Sequence, residues 1–150
     1  MTINKILQDI THAHLATNAG TSMHHKLQQI TITPESCSGA PELITRIKNN
    51  PLLSQIFSPD SQTEIPIAGT INGHFISRRI DRLLINNTNN TIIILDYKTD
   101  TNRNTNYQKY THQINEYIQL LHAIYPNHKI TGYILWTHDF SLEKLPPKQL

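Results

Sequence analysis

Apolar residues recur along this chain in two rhythms, and the switches between them divide it into elements. Ile3, Ile6, Leu7 and Ile10 share one helical face, and Met23, Leu27 and Ile30 share another. Between these runs Ala19-Gly20-Thr21 can end one helix and start the next, with Thr21 as N-cap. Residues 32–40 carry Pro34, Ser36, Ser38 and Gly39 and read as loop. Pro41 then opens a helix reaching Ile47, Asn49-Asn50-Pro51 breaks it, and residues 52–57 add another turn or two.

Past Ser58-Pro59-Asp60 the period shortens. Glu64, Ile65 and Ile67, then Phe75 and Ile76, flank a turn over residues 69–73 and predict two short strands. Residues 80–85 and 91–97 are rich in β-branched side chains. The asparagine-dense run Asn86-Asn87-Thr88-Asn89-Asn90 joins them, suited to positive φ angles, and makes this the strongest hairpin signal. Helical spacing returns with Tyr107, Tyr110, Ile114, Tyr117, Ile118, Leu121 and Ile124, and stops at Pro126-Asn127. A strand over residues 130–136 follows, and Pro146-Pro147 marks a tail. The order predicts an α/β fold. Its mixed central sheet is an antiparallel meander plus a final strand after a long helix, flanked by helices on both sides.

Length and composition narrow the reading. The 150 residues fit one domain, with no internal repeat and a core expected over about residues 20–137. An apolar share of 37% against 16% charged is globular rather than disordered. A net charge of +2 permits a polyanionic partner without demanding one. The single cysteine, Cys37, excludes an internal disulfide, an all-cysteine zinc site and a four-cysteine iron–sulfur cluster. The first nine residues lack the apolar core of a signal peptide, and no run approaches the roughly 18 apolar residues of a membrane helix. A soluble, cytoplasmic protein is expected. No Gly-x-x-x-x-Gly-Lys-Ser/Thr loop, Cys-x-x-Cys or His-Glu-x-x-His motif suggests a nucleotide motor or rival catalysis.

The hairpin over residues 80–97 carries the candidate chemistry. Alternate strand residues share a face, so Asp96 and Lys98 point the same way. A turn centred on Thr88-Asn89 sets Asp81 opposite Asp96, with Cβ atoms about 4.5–5.5 Å apart. Two carboxylates that close repel unless a proton or cation lies between them. A hard cation such as Mg²⁺ fills that place, and an adjacent Lys98 can stabilise charge building up on a phosphate. Asp and Lys two apart on a strand are more often a solvated surface pair. Context argues otherwise: Asp96 follows the apolar run Ile92-Ile93-Ile94-Leu95, and Asp81 interrupts an apolar stretch.

Arg79-Ile80-Asp81-Arg82-Leu83 and Ile93-Ile94-Leu95-Asp96-Tyr97-Lys98-Thr99 together resemble the RecB/AddA nuclease signature of the PD-(D/E)XK superfamily. Four further segments fall in the expected order. Gly20-Thr21-Ser22-Met23-His24 is similar to the helical histidine motif, Thr63-Glu64-Ile65-Pro66-Ile67 to the first core strand, Gln113-Ile114-Asn115-Glu116-Tyr117 to the Q-x-x-x-Y motif, and residues 130–136 to the closing strand. The resemblance implies a restriction-endonuclease-like core and metal-dependent, exonucleolytic hydrolysis of DNA. It implies Mg²⁺ or Mn²⁺ held by Asp81, Asp96 and the Tyr97 carbonyl with His24 assisting, and Lys98 as catalytic lysine. Glu64, Gln113 and Tyr117 would border the site; Gln113 could bond a phosphate, and Tyr117 could stack or donate.

The implied partners are DNA and a helicase subunit of an AddAB/RecBCD-like double-strand-break repair complex. One departure stands out: Arg78 occupies a position where family members often have glycine. It either narrows the nucleic-acid path or adds a phosphate contact. Two rival readings keep the fold, namely an inactive DNA-binding scaffold remnant and a nuclease acting on RNA or structured DNA.

Overall fold

The computed structural model describes residues 20–146. A helix covers residues 20–28 (α1), followed by strands Thr31–Ile32 (β1) and Cys37–Ser38 (β2) and helices Pro41–Lys48 (α2) and Pro51–Ile56 (α3). Strands Gln62–Ile71 (β3), His74–Asn86 (β4) and Thr91–Lys98 (β5) come next. Helix Tyr107–Ile124 (α4) and strands Lys129–Trp136 (β6) and Ser141–Lys144 (β7) complete the order. Strands β3 to β7 form one five-stranded sheet in chain order, antiparallel throughout except for the parallel pair β5 and β6. α4 is the crossover that a parallel pair requires. This is a mixed α/β architecture with a five-stranded sheet flanked by helices.

Two apolar cores lie on opposite faces of that sheet. Ile92 and Ile94 of β5 pack with Ile114, Tyr117 and Leu121 of α4. Leu95 and Tyr97, one step out of phase, pack with Leu27 of α1, Ile47 of α2 and Leu53 of α3. β5 is therefore buried on both sides, which explains its near-continuous apolar run.

The structure amends several predicted elements. The expected helix around Ile3, Ile6, Leu7 and Ile10 lies outside the described residues, as does Pro147. Gly20 and Thr21 are both helical, so Thr21 is inside α1 rather than capping it. The predicted loop over residues 32–40 contains the antiparallel pair β1 and β2. The two strands expected on either side of residue 78 are one long β4, and its partner β3 extends through Gly69. The turn is the two-residue Asn72-Gly73, with φ of 50 and 78°, as a tight hairpin of that twist requires. Gly69 instead serves contact with α4: a Cβ there would lie 2.7 Å from Leu120 Cδ2. β7 was not expected, and with Leu145 it extends the packed body past residue 137.

The β4–β5 ladder positions the site. Its register runs Asn86↔Thr91 to Arg82↔Leu95 and stops there, while β4 continues against β3 to His74↔Ile71. The sheet thus forks one residue before Asp81 and Asp96 would have paired. On the other side of β4, Glu64 has φ 52°, between the pairs Thr63↔Arg82 and Ile65↔Ile80. A non-glycine residue in that region is uncommon and costs on the order of 1 kcal/mol or more. Beside it on β4, Ile80 and Leu83, three apart, both join the α4-side core, so side-chain alternation breaks between them.

Candidate active site

Asp81 lies where the ladder has opened, and its carboxylate takes over the hydrogen bonding that β4 no longer supplies. The Tyr97 backbone N–H donates to Asp81 Oδ2 at 2.8 Å. The Asp81 and Asp96 carboxyls lie within hydrogen-bonding reach of each other. Burial, and after it the neighbouring Asp96 charge, pushes the Asp81 pKa up to about 8, while the Tyr97 N–H and Lys98 act in the opposite direction. Near neutral pH and without a cation, Asp81 therefore retains a proton.

Asp96 is 2% exposed. The Lys98 ammonium stands 2.8 Å from Asp96 Oδ2, an ion pair, yet that buried oxygen receives no well-aligned hydrogen bond. Lys98 is held from three sides. Besides Asp96, it donates to Gln113 Oε1 at 3.2 Å and lies over the Tyr110 ring, 4.2 Å from its centre. Tyr110 is fixed in turn by donating to Asp100, at 2.9 and 2.8 Å from the two carboxyl oxygens, and Asn106 donates to Asp100 as well. Burial and the Asp100 carboxylate push the Tyr110 phenol up to about 12, so it remains a donor.

Gln113 and Tyr117, one turn apart on α4, act as a relay rather than a free face. Gln113 Nε2 donates to Tyr117 Oη at 2.8 Å, and Tyr117 donates to the Arg79 carbonyl at 3.2 Å. The Gln113 amide thus uses its oxygen toward Lys98 and one N–H toward Tyr117. Tyr117 is 1% exposed and has no face left for a base to stack upon. Its burial raises the phenol pKa, keeping the proton that bonds Arg79.

His24 reaches the same place from α1. Its Nε2 is 2.9 Å from the Tyr97 carbonyl oxygen and 3.5 Å from Asp81 Oδ2. Glu64 stands further out. It pairs with Arg79 at 3.8 Å and lines, with Thr21, His24, Gln28 and Asp81, a cavity of about 400 Å³. The structure therefore brings Asp81, Asp96, Lys98, Tyr97, His24 and Gln113 into one connected group. Tyr117 supports that group, and Glu64 sits on the rim of the cavity.

The sequence reading missed the residue that holds the group together. Arg82 is 2% exposed. Its Nε donates to the Tyr97 hydroxyl at 2.9 Å, Nη1 to Ser61 Oγ at 2.7 Å, and Nη2 to the Leu27 and Ile30 carbonyls at 2.9 and 3.3 Å. Its guanidinium also lies 4.1 Å from the Phe57 ring centre. A buried arginine without a carboxylate partner is tolerable because these carbonyls gather at the end of α1, the negative pole of the helix, where Leu27 also accepts the Ile30 N–H at 3.2 Å. Arg82 thus locks α1, and with it His24, to Tyr97, whose backbone binds Asp81. The available signal was a charge inside the apolar run 80–85.

The donor set fits a divalent cation in part. Two carboxyls in mutual contact, one buried oxygen lacking an aligned donor, and a backbone carbonyl facing them are the chemistry such an ion accepts. Among the described residues no group of three or more His, Cys, Asp or Glu side chains is gathered as a metal cage. His24 Nε2 faces the Tyr97 carbonyl, so it would bind metal only after turning a lone pair outward.

No protein-family model matches the chain, and no curated protein matches it. A solved structure named "Crystal structure of SSO0001" is similar with a TM-score of 0.41 and 15% identity, over 69% of this chain and 48% of that one. The chain spans about half the length of that neighbour. A likeness of that size identifies no family. Among the described residues no helix is long and apolar enough to cross a membrane.

Proposed function

We propose that this chain is a divalent-metal-dependent nuclease of the PD-(D/E)XK type, hydrolysing phosphodiester bonds of DNA exonucleolytically. The observation that carries the reading is the buried contact of Asp81 with Asp96, with the Lys98 ammonium 2.8 Å from Asp96. The fork in the sheet and the order of strands β3, β4, β5 and, after α4, β6 are consistent with a restriction-endonuclease-like core. Asp81, Asp96 and the Tyr97 carbonyl would hold Mg²⁺ or Mn²⁺, with His24 as a fourth donor after reorientation. When bound, the ion supplies an acidified water and a counter-charge for a phosphate oxygen.

The chain's own residues do the rest. Lys98, fixed by Gln113 and Tyr110, presents its ammonium where charge accumulates on the reacting phosphate. Asp81, which holds its proton beside Asp96, would release it to solvent if a cation were held there. A helicase subunit of an AddAB/RecBCD-like repair complex is the partner that the resemblance of the Asp81 and Asp96–Lys98 segments implies.

The test compares wild type with Lys98→Ala on end-labelled linear DNA, closed circular DNA and RNA, in Mg²⁺, Mn²⁺ and EDTA. Wild type is expected to cut linear DNA with either ion and not in EDTA, and Lys98→Ala to bind DNA without cutting it. Equal cutting by both proteins overturns the assignment. DNA binding without cutting by wild type in either ion supports the scaffold reading, and preference for RNA or circles supports the other rival.

A further inference from the structure

Arg78 and Arg79 are consecutive on β4, so their side chains leave on opposite faces. They enter surroundings of opposite character. Arg79 lines the cavity that contains Asp81 and Glu64, where two acidic side chains, one of them holding its proton, face one fixed cation. Arg78 lines a second cavity of about 460 Å³, on the α4 side, with Lys98, Lys109, Tyr110, His112, Gln113 and Glu116. There three fixed cations face one carboxylate, and His112 adds a fourth positive group when protonated.

This second cavity is built from one face of α4, since residues 109, 112, 113 and 116 are three or four apart. Glu116 forms its floor and is 7% exposed. One of its oxygens is 3.6 Å from Arg78 Nη2 and the other 3.4 Å from His112 Nε2. Glu116 thus holds Arg78 and His112 side by side at the cavity, and the half-exposed Arg78 guanidinium has one further protein bond, from Nη1 to the Ser77 carbonyl at 3.0 Å. The cavity also opens directly onto Lys98, the group that would face the reacting phosphate.

We propose that Arg78, Lys109 and His112 form a binding subsite for a backbone phosphate of the polynucleotide, next to the one being cut. The inference rests on the nuclease reading and gives the substrate strand a direction, leaving the carboxylate pair across α4 rather than through the acidic cavity beside Arg79. Arg78 then adds a phosphate contact where family members often carry glycine.

The experiment measures binding of a fluorescein-labelled single-stranded oligodeoxynucleotide in EDTA across a salt series, for wild type and for Arg78→Ala, Arg78→Lys, Lys109→Ala, Arg79→Ala and Lys48→Ala. Removing one cation that neutralises a phosphate should lower the slope of log affinity against log salt by about 0.7. Arg78→Ala and Lys109→Ala are expected to show that decrease, Arg78→Lys to retain the wild-type slope, and Arg79→Ala and the distant Lys48→Ala to leave it unchanged. Unshifted slopes for Arg78→Ala and Lys109→Ala, or equal decreases for Lys48→Ala or Arg79→Ala, overturn the subsite alone. Failure of wild type to bind the oligonucleotide at low salt, together with failure to cut, overturns the nuclease reading and this inference with it.

Discussion

Replacing Asp81 by Asn tests the electrostatics of the carboxyl pair without needing any activity. Burial and the Asp96 charge raise the Asp81 pKa from 3.8 to about 8. An acid that binds its proton more tightly folded than unfolded favours folding at low pH. That advantage is lost as pH rises from near 4 towards 8, where the folded state must carry the buried charge. Each pKa unit corresponds to about 1.4 kcal/mol, so the loss has an upper bound of roughly 6 kcal/mol, reduced by whatever the pair relaxes. Asn keeps an acceptor for the Tyr97 N–H and cannot ionise. In urea unfolding with EDTA, wild type and Asp81→Asn should agree within about 1 kcal/mol at pH 4, and the variant should be the more stable by at least ~2 kcal/mol at pH 8. Added Mg²⁺ should restore wild type at pH 8 with release of a proton and leave the variant little changed. Parallel stability curves for the two proteins between pH 4 and 8 would refute the reasoning, because Asp81 would then be an ordinary solvated carboxylate.

Two further substitutions probe the scaffold. Arg82→Met takes the guanidinium donors from the Ile30 carbonyl, the Tyr97 hydroxyl and Ser61, and should cost about 3–5 kcal/mol in urea unfolding, with faster hydrogen exchange over α1. Gly132→Ala places a methyl group against Ile114 Cγ2 and should cost about 1–3 kcal/mol, and the double variant with Ile114→Ala should lose less than the two singles added together.

The parts of the fold that were legible are those whose side chains alternate against a buried face. The β-branched runs either side of Asn86 to Asn90 fixed the β4–β5 register, because a one-residue slip would have turned Ile92 and Ile94 out of the α4-side core. That register brings Asp81 and Asp96 to neighbouring ends of the two strands but stops at Arg82↔Leu95, so the direct cross-strand pairing expected of them lies beyond the ladder. The short strands were not legible: β1 and β2 are two residues each and β7 four, too few for a period to register. β7 is held by its pairing with β6 and by Trp136 Nε1 donating to Glu143, which no local pattern announces. Gly69 misled for a physical reason, since a glycine demanded by the nearby Leu120 looks the same in sequence as one demanded by a turn. Arg82 was visible as a charge among apolar neighbours, but its carbonyl acceptors are contributed by residues more than 50 positions away.

The early end of the β4–β5 ladder has a cost and a use. Hydrogen-bonded strands lie about 4.7–4.9 Å apart, and a continuous ladder through Ile80 would have filled the opening with amide pairs. Because pairing lapses after Arg82↔Leu95, an amide and a carbonyl of Tyr97 face outward and become available, one to Asp81 and the other to His24. Substitutions that extended the ladder would make a sturdier protein while closing the opening in which Asp81 and the Tyr97 backbone meet, so robustness and the proposed chemistry pull on this seam in opposite directions.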